Sequence, residues 1–298
     1  MLNDLRELLR SRELILMLVR RDLRVRYKNS WLGFLWSIVP LLLQTFVISM
    51  VVKRIYGVGP RDLSAYVLCA YIPWNFIQVG LLDGASSVLG QYALLKKVYF
   101  PREVLPTAAV LANTVHLLLA IGVFFIYRYG ITPLVIGWPG PPPGAIIFLP
   151  CLVVISFFLV LGITFFTATW NVFHEDVKFI VQSVLNLAFF ALPIAWFTEQ
   201  LFYSKSIPVP LHHALTIAYN AFPVSWLISA FRQVLLPPAD IGPNVSLPDC
   251  TGRFHHIVTL TAPFDYRYFA LAFAVSLLTA LAGYAYFNRR KWDFVERP

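Results

Sequence analysis

From Trp31 to Val52 the chain carries no Asp, Glu, Lys or Arg, while the residues just before it, Arg20-Arg21-Asp22-Leu23-Arg24-Val25-Arg26-Tyr27-Lys28, are densely charged. As a helix the uncharged stretch would extend about 33 Å, enough for a ~30 Å hydrocarbon core. Inside a bilayer no water reaches the backbone amides, so a stretch of this kind has to satisfy them internally, as a helix. The junction therefore predicts a charged surface helix that feeds directly into a membrane span.

Five more charge-free stretches follow: Leu63 to Leu82, Val104 to Tyr127, Ala145 to Phe173, Phe179 to Thr198 and Tyr268 to Asn288. Hydrophobic residues make up 58% of the chain and charged ones 13%, with the charges gathered in short clusters, which excludes an ordinary soluble domain. The fold class expected is an all-α polytopic membrane protein with six transmembrane helices. Between the third and fourth stretches, Gly137-Trp138-Pro139-Gly140-Pro141-Pro142-Pro143-Gly144 must be a loop, because proline lacks the amide donor and clashes with the preceding turn.

Lysine and arginine set the orientation. With six spans and both termini inside, sixteen of the 24 basic residues fall on inner segments although the outer segments are longer. A seventh uncharged stretch, Ser206 to Phe231, is interrupted by Pro208, Pro210, His212, His213 and Pro223. Counting it as a span would put Arg289-Arg290-Lys291 outside, so it reads as re-entrant helices whose broken backbone is satisfied by protein or a water-filled cavity. The expected organisation is a cytoplasmic amphipathic interface helix over 1–30, a six-span domain over 31–288 and a cytoplasmic tail over 289–298. The outer loop, 199–267, holds the re-entrant helices. Leu5, Leu8 and Leu9, then Leu16, Val19 and Leu23, recur at helical spacing in the first segment, which does not resemble a cleavable signal.

Other chemistries find little support. Cys69 and Cys151 fall inside spans and Cys250 in the outer loop, so no disulfide framework is expected. Asn244-Val245-Ser246 matches a glycosylation acceptor only by its three residues. His212, His213, Asp249, Cys250, His255 and His256 are types that bind zinc but lack its usual spacings, so no metal site is expected. The net charge of +9 sits beside spans and forms no aromatic-interleaved patch, which speaks against a nucleic-acid partner. No phosphate loop, Gly-x-Ser-x-Gly or His-Glu-x-x-His occurs, and Gly57-Val58-Gly59 is an isolated turn. His116, a lone titratable group in a span, reads as packed or hydrogen-bonded. The chain is not expected to be an enzyme, and if it moves a solute the energy has to come from a partner.

The run Arg20 to Trp36, Arg-Arg-Asp-Leu-Arg-Val-Arg-Tyr-Lys-x-Ser-x-Leu-Gly-Phe-Leu-Trp, resembles the opening of the membrane subunits of ABC-2 type polysaccharide exporters, the family of O-antigen, capsule and teichoic acid transporters. Leu94-Leu95-Lys96-Lys97-Val98-Tyr99-Phe100-Pro101-Arg102-Glu103-Val104-Leu105-Pro106 is similar to the family's first cytoplasmic loop. Asn171-Val172-Phe173-His174-Glu175-Asp176-Val177 resembles the second cytoplasmic turn, with His174-Glu175 where an aromatic-arginine pair is more usual. Tyr219-Asn220-Ala221-Phe222-Pro223 with Phe231-Arg232 resembles the Asn-Pro element between the last two spans, with two residues inserted.

The resemblance implies a homodimer with two nucleotide-binding ATPase subunits in the bacterial inner membrane, exporting a lipid-linked polysaccharide. It implies no cofactor in this chain, with ATP and Mg held by the partner. Gln91, Leu94, Lys96, Lys97, Tyr99, Pro101, Arg102 and Asp176 would couple to the ATPase, and Leu32 and Gly33 would form the loop at the gate.

A sliding glycan needs weak, repeated contacts from aromatic faces and neutral hydrogen-bonding groups. Helical spacing offers Phe34, Ser37, Gln44 and Ile48 on the first span and Gln182, Asn186, Phe189 and Pro193 on the fifth, extended by Trp36, Trp196 and Phe197. Interfacial anchoring or helix packing is the competing role for these types. Arg20, Arg21, Arg24, Arg26 and Lys28 suit a lipid-linked phosphate, and equally the acidic headgroups of membrane lipids. An exporter of a drug or small lipid is the alternative, without need of the interface helix or re-entrant segment. A membrane-embedded glycosyl- or acyltransferase would want paired acidic residues or histidines, whereas Asp62, Asp83 and Glu103 are scattered.

Overall fold

The computed structural model describes residues 7–8, 10–28, 35–56, 62–91, 101–135, 137–198, 209–238, 246–248, 254–256 and 264–291. The charge-free runs become helices α2 (Leu35–Val51), α3 (Leu63–Ser86), α4 (Val104–Ile126) and α5 (Leu149–Phe173), preceded by the charged α1 (Arg12–Tyr27). Then come α6 (Val177–Ala191), α7 (Val209–Ala221), α8 (Pro223–Leu235) and α9 (Tyr266–Arg290). Among the described residues, five stretches are long and apolar enough to cross a membrane, Trp36–Arg54, Leu63–Ser86, Val104–Val135, Gly144–Phe173 and Tyr266–Arg290, with a sixth if the bent α7–α8 pair counts as one.

The fifth expected span departs from its predicted length. Helix α6 has 15 residues and would extend about 22 Å, short of a full crossing. It stops because Pro193 excludes the residue before it from the helical region, and Leu192 is accordingly extended (φ −85°, ψ 152°). The structure is otherwise helical, with one short antiparallel pair between α8 and α9, β1 (Ser246–Pro248) with β2 (Phe254–His256), in which Leu247 is in register with His255.

Helix α3 is the most buried of the five and packs against α4, α5, α2 and α8. Its approach to α5 depends on glycine: a Cβ at Gly80 would meet Val160 Cγ1 at 2.9 Å, and one at Gly84 would collide with Thr164. Helices α5 and α9 come closer still. A Cβ at Gly162 would sit 2.5 Å from the Thr279 carbonyl carbon, and Gly283 lies against the Gly162 carbonyl. Between apolar helices in lipid, such small residues permit the van der Waals contact that holds the pair together.

Pro223 breaks the outer segment as its sequence suggests. Phe222 is extended (φ −76°, ψ 117°), and α7 and α8 meet at 85°. Two carbonyls of the irregular backbone after α6 are met by one buried side chain, Arg232 of α8. Its guanidinium donates to the carbonyls of Ile194 (2.5 Å), Trp196 (2.9 Å) and Tyr66 (3.2 Å) and lies 4.5 Å from the Phe197 ring centre. A broken backbone surrounded by protein is tolerated on this condition.

Each end of the bundle carries its own ion pair. At one end Asp62, ahead of α3, pairs with buried Arg128, which also donates to the Pro139 carbonyl at 3.0 Å. Burial pushes the Asp62 carboxyl above its ordinary range, against the downward pull of the Arg128 guanidinium. At the other end, where α3, α5 and α9 finish and α4 begins, fully buried Glu103 accepts from Lys291 Nζ at 3.4 Å.

Helix α1 is amphipathic, but its buried face is not quite the predicted one. Leu18 and Val19 are buried with Val104, Leu105, Ala108 and Ala112 of α4, and Leu14, Ile15 and Leu23 pack around them. Leu16 is instead exposed. The helix runs along the first half of α4 in the same direction, since Arg26 reaches Asn113 and Tyr27 reaches His116.

Candidate coupling face and translocation path

Gln91, Pro101, Arg102 and Asp176 all lie at the Glu103 end of the bundle; Leu94, Lys96, Lys97 and Tyr99 fall outside the described residues. Gln91 closes a short 3-10 turn after α3 and borders a cavity of about 570 Å³. Asp176 is exposed at the start of α6, where its carbonyl accepts from the amides of Phe179 and Ile180, both at 3.0 Å. Arg102 does not point into solvent: its guanidinium donates to the Lys291 carbonyl.

A second bridge holds this face together. The Asn171 side chain donates to the Ala85 carbonyl at 3.1 Å and accepts from the Lys178 amide at 3.2 Å, so the ends of α3 and α5 and the start of α6 share one residue. Buried amide side chains that use both ends in this way fix relative positions, because breaking either bond leaves a desolvated polar group.

The basic residues of α1 divide into two sets. Arg20 and Arg24 are exposed beside Leu16, Met17 and Val25, a mixed cationic and apolar surface that suits acidic lipid. Arg21 pairs with Asp22 at 2.8 Å. Arg26 contacts Asp83 Oδ2 at 2.5 Å and Asn113 Oδ1 at 3.2 Å, while Asn113 Nδ2 reaches the same carboxylate at 2.9 Å. Next to this triad the Tyr27 hydroxyl meets His116 Nδ1 at 2.9 Å, so His116 is hydrogen-bonded as expected. Arg26, Asn113 and His116 line both the 570 Å³ cavity and a neighbouring one of about 330 Å³.

The residues of the two expected lining stripes fall in different surroundings. Leu32, Gly33 and Phe34 lie outside the described residues. Trp36 and Ser37 border the 330 Å³ cavity between α1, α2, α3 and α4, whereas Gln44 is exposed on α2 near Leu43, Phe46 and Val47. On α6, Gln182 and Asn186 are exposed among Phe179, Val184, Leu187 and Phe190. Phe189 turns inward, its ring 6.1 Å from Tyr71 and 6.3 Å from Trp74 of α3. Trp196 is held in the break after α6, edge-on to Tyr219 at 5.3 Å, and Phe197 is buried under Arg232.

No protein-family model matches the chain. The O-antigen export system permease protein RfbA of Myxococcus xanthus is 30% identical over 198 residues, which cover 66% of this chain and 73% of that protein. The chain belongs to the O-antigen export permease family. Two RfbA permeases from Klebsiella pneumoniae are each 23% identical over 286 residues, covering 95% of this chain and 94% of theirs. As a member of this permease family, the chain is a multi-pass membrane protein built to work within an exporter.

Several residues that organise this permease went unnoticed in the sequence. Asn113 was not singled out, Asn171 was read only as the start of the second cytoplasmic turn, and the partner of Glu103, Lys291, lies 188 residues away. A detectable signal did exist for the packing: Gly80 and Gly84 are spaced as a small-xxx-small pair, the pattern of close helix contact.

Proposed function

We propose that this permease exports a lipid-linked polysaccharide across the bacterial inner membrane, as a dimer working with two ATPase subunits. The observation that carries the reading is likeness to O-antigen export permeases over nearly the full length of both chains, 95% and 94%.

In this reading the Glu103 end faces the cytoplasm, and Gln91, Leu94, Lys96, Lys97, Tyr99, Pro101 and Asp176 meet the ATPase. Helices α2 and α6 contribute Gln44, Gln182 and Asn186 to the glycan path, with Leu32 and Gly33 at its mouth. Arg20 and Arg24 face the acidic headgroups or the lipid-linked phosphate, since their guanidinium groups can grip phosphate oxygens in pairs. Arg26 is committed to Asp83 and serves to hold α1 in place.

The test is reconstitution of the permease with a candidate ATPase subunit from the same organism. ATP-dependent appearance of lipid-linked glycan in the lumen of inside-out vesicles is expected. A chain that copurifies with no ATPase, or whose vesicles accumulate no glycan with ATP, overturns the proposal.

A further inference from the structure

We propose that Glu103 and Lys291 are positioning residues for energy coupling: their buried contact passes displacement of the segment before α4 into α9 and from there to α6. The inference rests on the exporter reading above and adds a route that the coupling segment alone does not contain.

Three observations carry it. Glu103 occupies the N-cap of α4 and Lys291 the C-cap of α9, each sign of charge at the helix end whose dipole it complements. Glu103 is fully buried, Lys291 nearly so, and their side chains meet at 3.4 Å. The neighbouring Arg102 adds a second tie by donating to the Lys291 carbonyl, so backbone and side chain of the same residue are both held. Pro101 and Arg102 close the segment expected to receive the ATPase, and a push delivered there reaches the adjacent Glu103 within a few bonds.

Beyond Lys291 the route has little slack. Helix α9 touches α5 backbone to backbone, where Gly283 lies against the Gly162 carbonyl and nothing flexible intervenes. Close-packed contacts of this kind shift as units and do not deform continuously. Helix α5 ends at Asn171, whose side chain grips Ala85 of α3 and Lys178 at the start of α6. A displacement of α9 is thereby delivered to α6, the helix that exposes Gln182 and Asn186.

The test uses the reconstituted permease and ATPase and reads three quantities: assembly, ATP hydrolysis, and glycan exported per ATP. Lys291→Met alone strands a buried carboxylate and tends toward misfolding, so the decisive variant is the neutral pair Glu103→Gln with Lys291→Met, which leaves no orphan charge. Assembly and hydrolysis at near wild-type rates with about a fivefold loss of glycan per ATP are expected, along with a smaller loss in Arg102→Met. Unchanged export per ATP in the neutral pair overturns the proposal, as does a parallel fall of hydrolysis and export, which a purely structural role would produce. Failure of the unaltered chain to export strikes the exporter reading instead.

Discussion

Arg232 donates to the carbonyl of Trp196 at 2.9 Å, and through that bond α8 is fastened to the backbone that breaks after α6. With the Ile194 and Tyr66 carbonyls it makes three such bonds from one guanidinium. Hydrogen bonds to a charged group are worth about 1.5–3 kcal/mol each, and the abandoned carbonyls would be buried. Arg232→Met should therefore lower stability by at least about 3 kcal/mol, read as loss of the folded protein in a thermal-unfolding series in detergent. Arg232→Lys should recover only part, because the three N–H bonds of an ammonium radiate from one nitrogen, cannot span carbonyls set for a planar guanidinium, and cannot lie flat over Phe197. Full recovery by lysine would show that charge alone matters at this position.

The α5–α9 contact makes a sharper prediction. Alanine at Gly283 would drive its Cβ into the Gly162 carbonyl, and backbone cannot swing aside as a side chain does. Gly283→Ala should cost about 3 kcal/mol, at the upper end of overpacking effects. Gly122→Ala is the internal control: nothing lies within 4 Å of the added methyl, so neutrality or slight stabilisation is expected from the better helix former. Equal unfolding midpoints for the two variants would contradict the close contact.

Arg26 and Asp83 should behave as a latch for α1. Their side chains are 38% and 37% exposed, so solvent screening holds the value of the pair to about 1 kcal/mol. That is enough to loosen the end of α1 without unfolding the bundle. In membrane vesicles, Arg26→Gln or Asp83→Asn should each raise tryptic cleavage at Arg20, Arg21 and Arg24 severalfold. The double variant should add little to either single, since both remove one interaction. Fully additive rates would mean that the two residues act independently.

What could be read in advance follows from the range of the forces involved. Desolvation acts on every residue of a run, so the charge-free stretches that became α2 to α5 and α9 were legible without a partner. The end of α6 was also present locally, in Pro193, but hydrophobicity drew the expected span past it to Thr198. The α7–α8 break at Phe222-Pro223 was legible for the same local reason. Arg26 was not, because its partners Asp83 and Asn113 lie 57 and 87 residues away and nothing in a basic cluster says which member will be paired. Glu103 and Lys291 raise the same difficulty. Phe189 shows the limit of periodicity: spacing put it on one face with Gln182 and Asn186, yet the orientation of α6 against Tyr71 and Trp74 turned it inward.

That division of α6 supports a last prediction about the glycan path. Gln44, Gln182 and Asn186 are exposed in the single chain, so enlarging them should not strain its core. If they border the path, Gln44→Trp and Asn186→Trp should reduce glycan export at least tenfold while leaving thermal stability within about 0.5 kcal/mol. Phe189→Ala should do the reverse in part: it removes ring contacts with α3, so stability should fall by about 2 kcal/mol before any effect on the path is felt. The comparison separates obstruction from unfolding within one helix, because Asn186 and Phe189 differ by less than a turn but face different surroundings. Unimpaired export with both tryptophans in place would remove these side chains from the path and leave α2 and α6 with a lipid-facing or packing role.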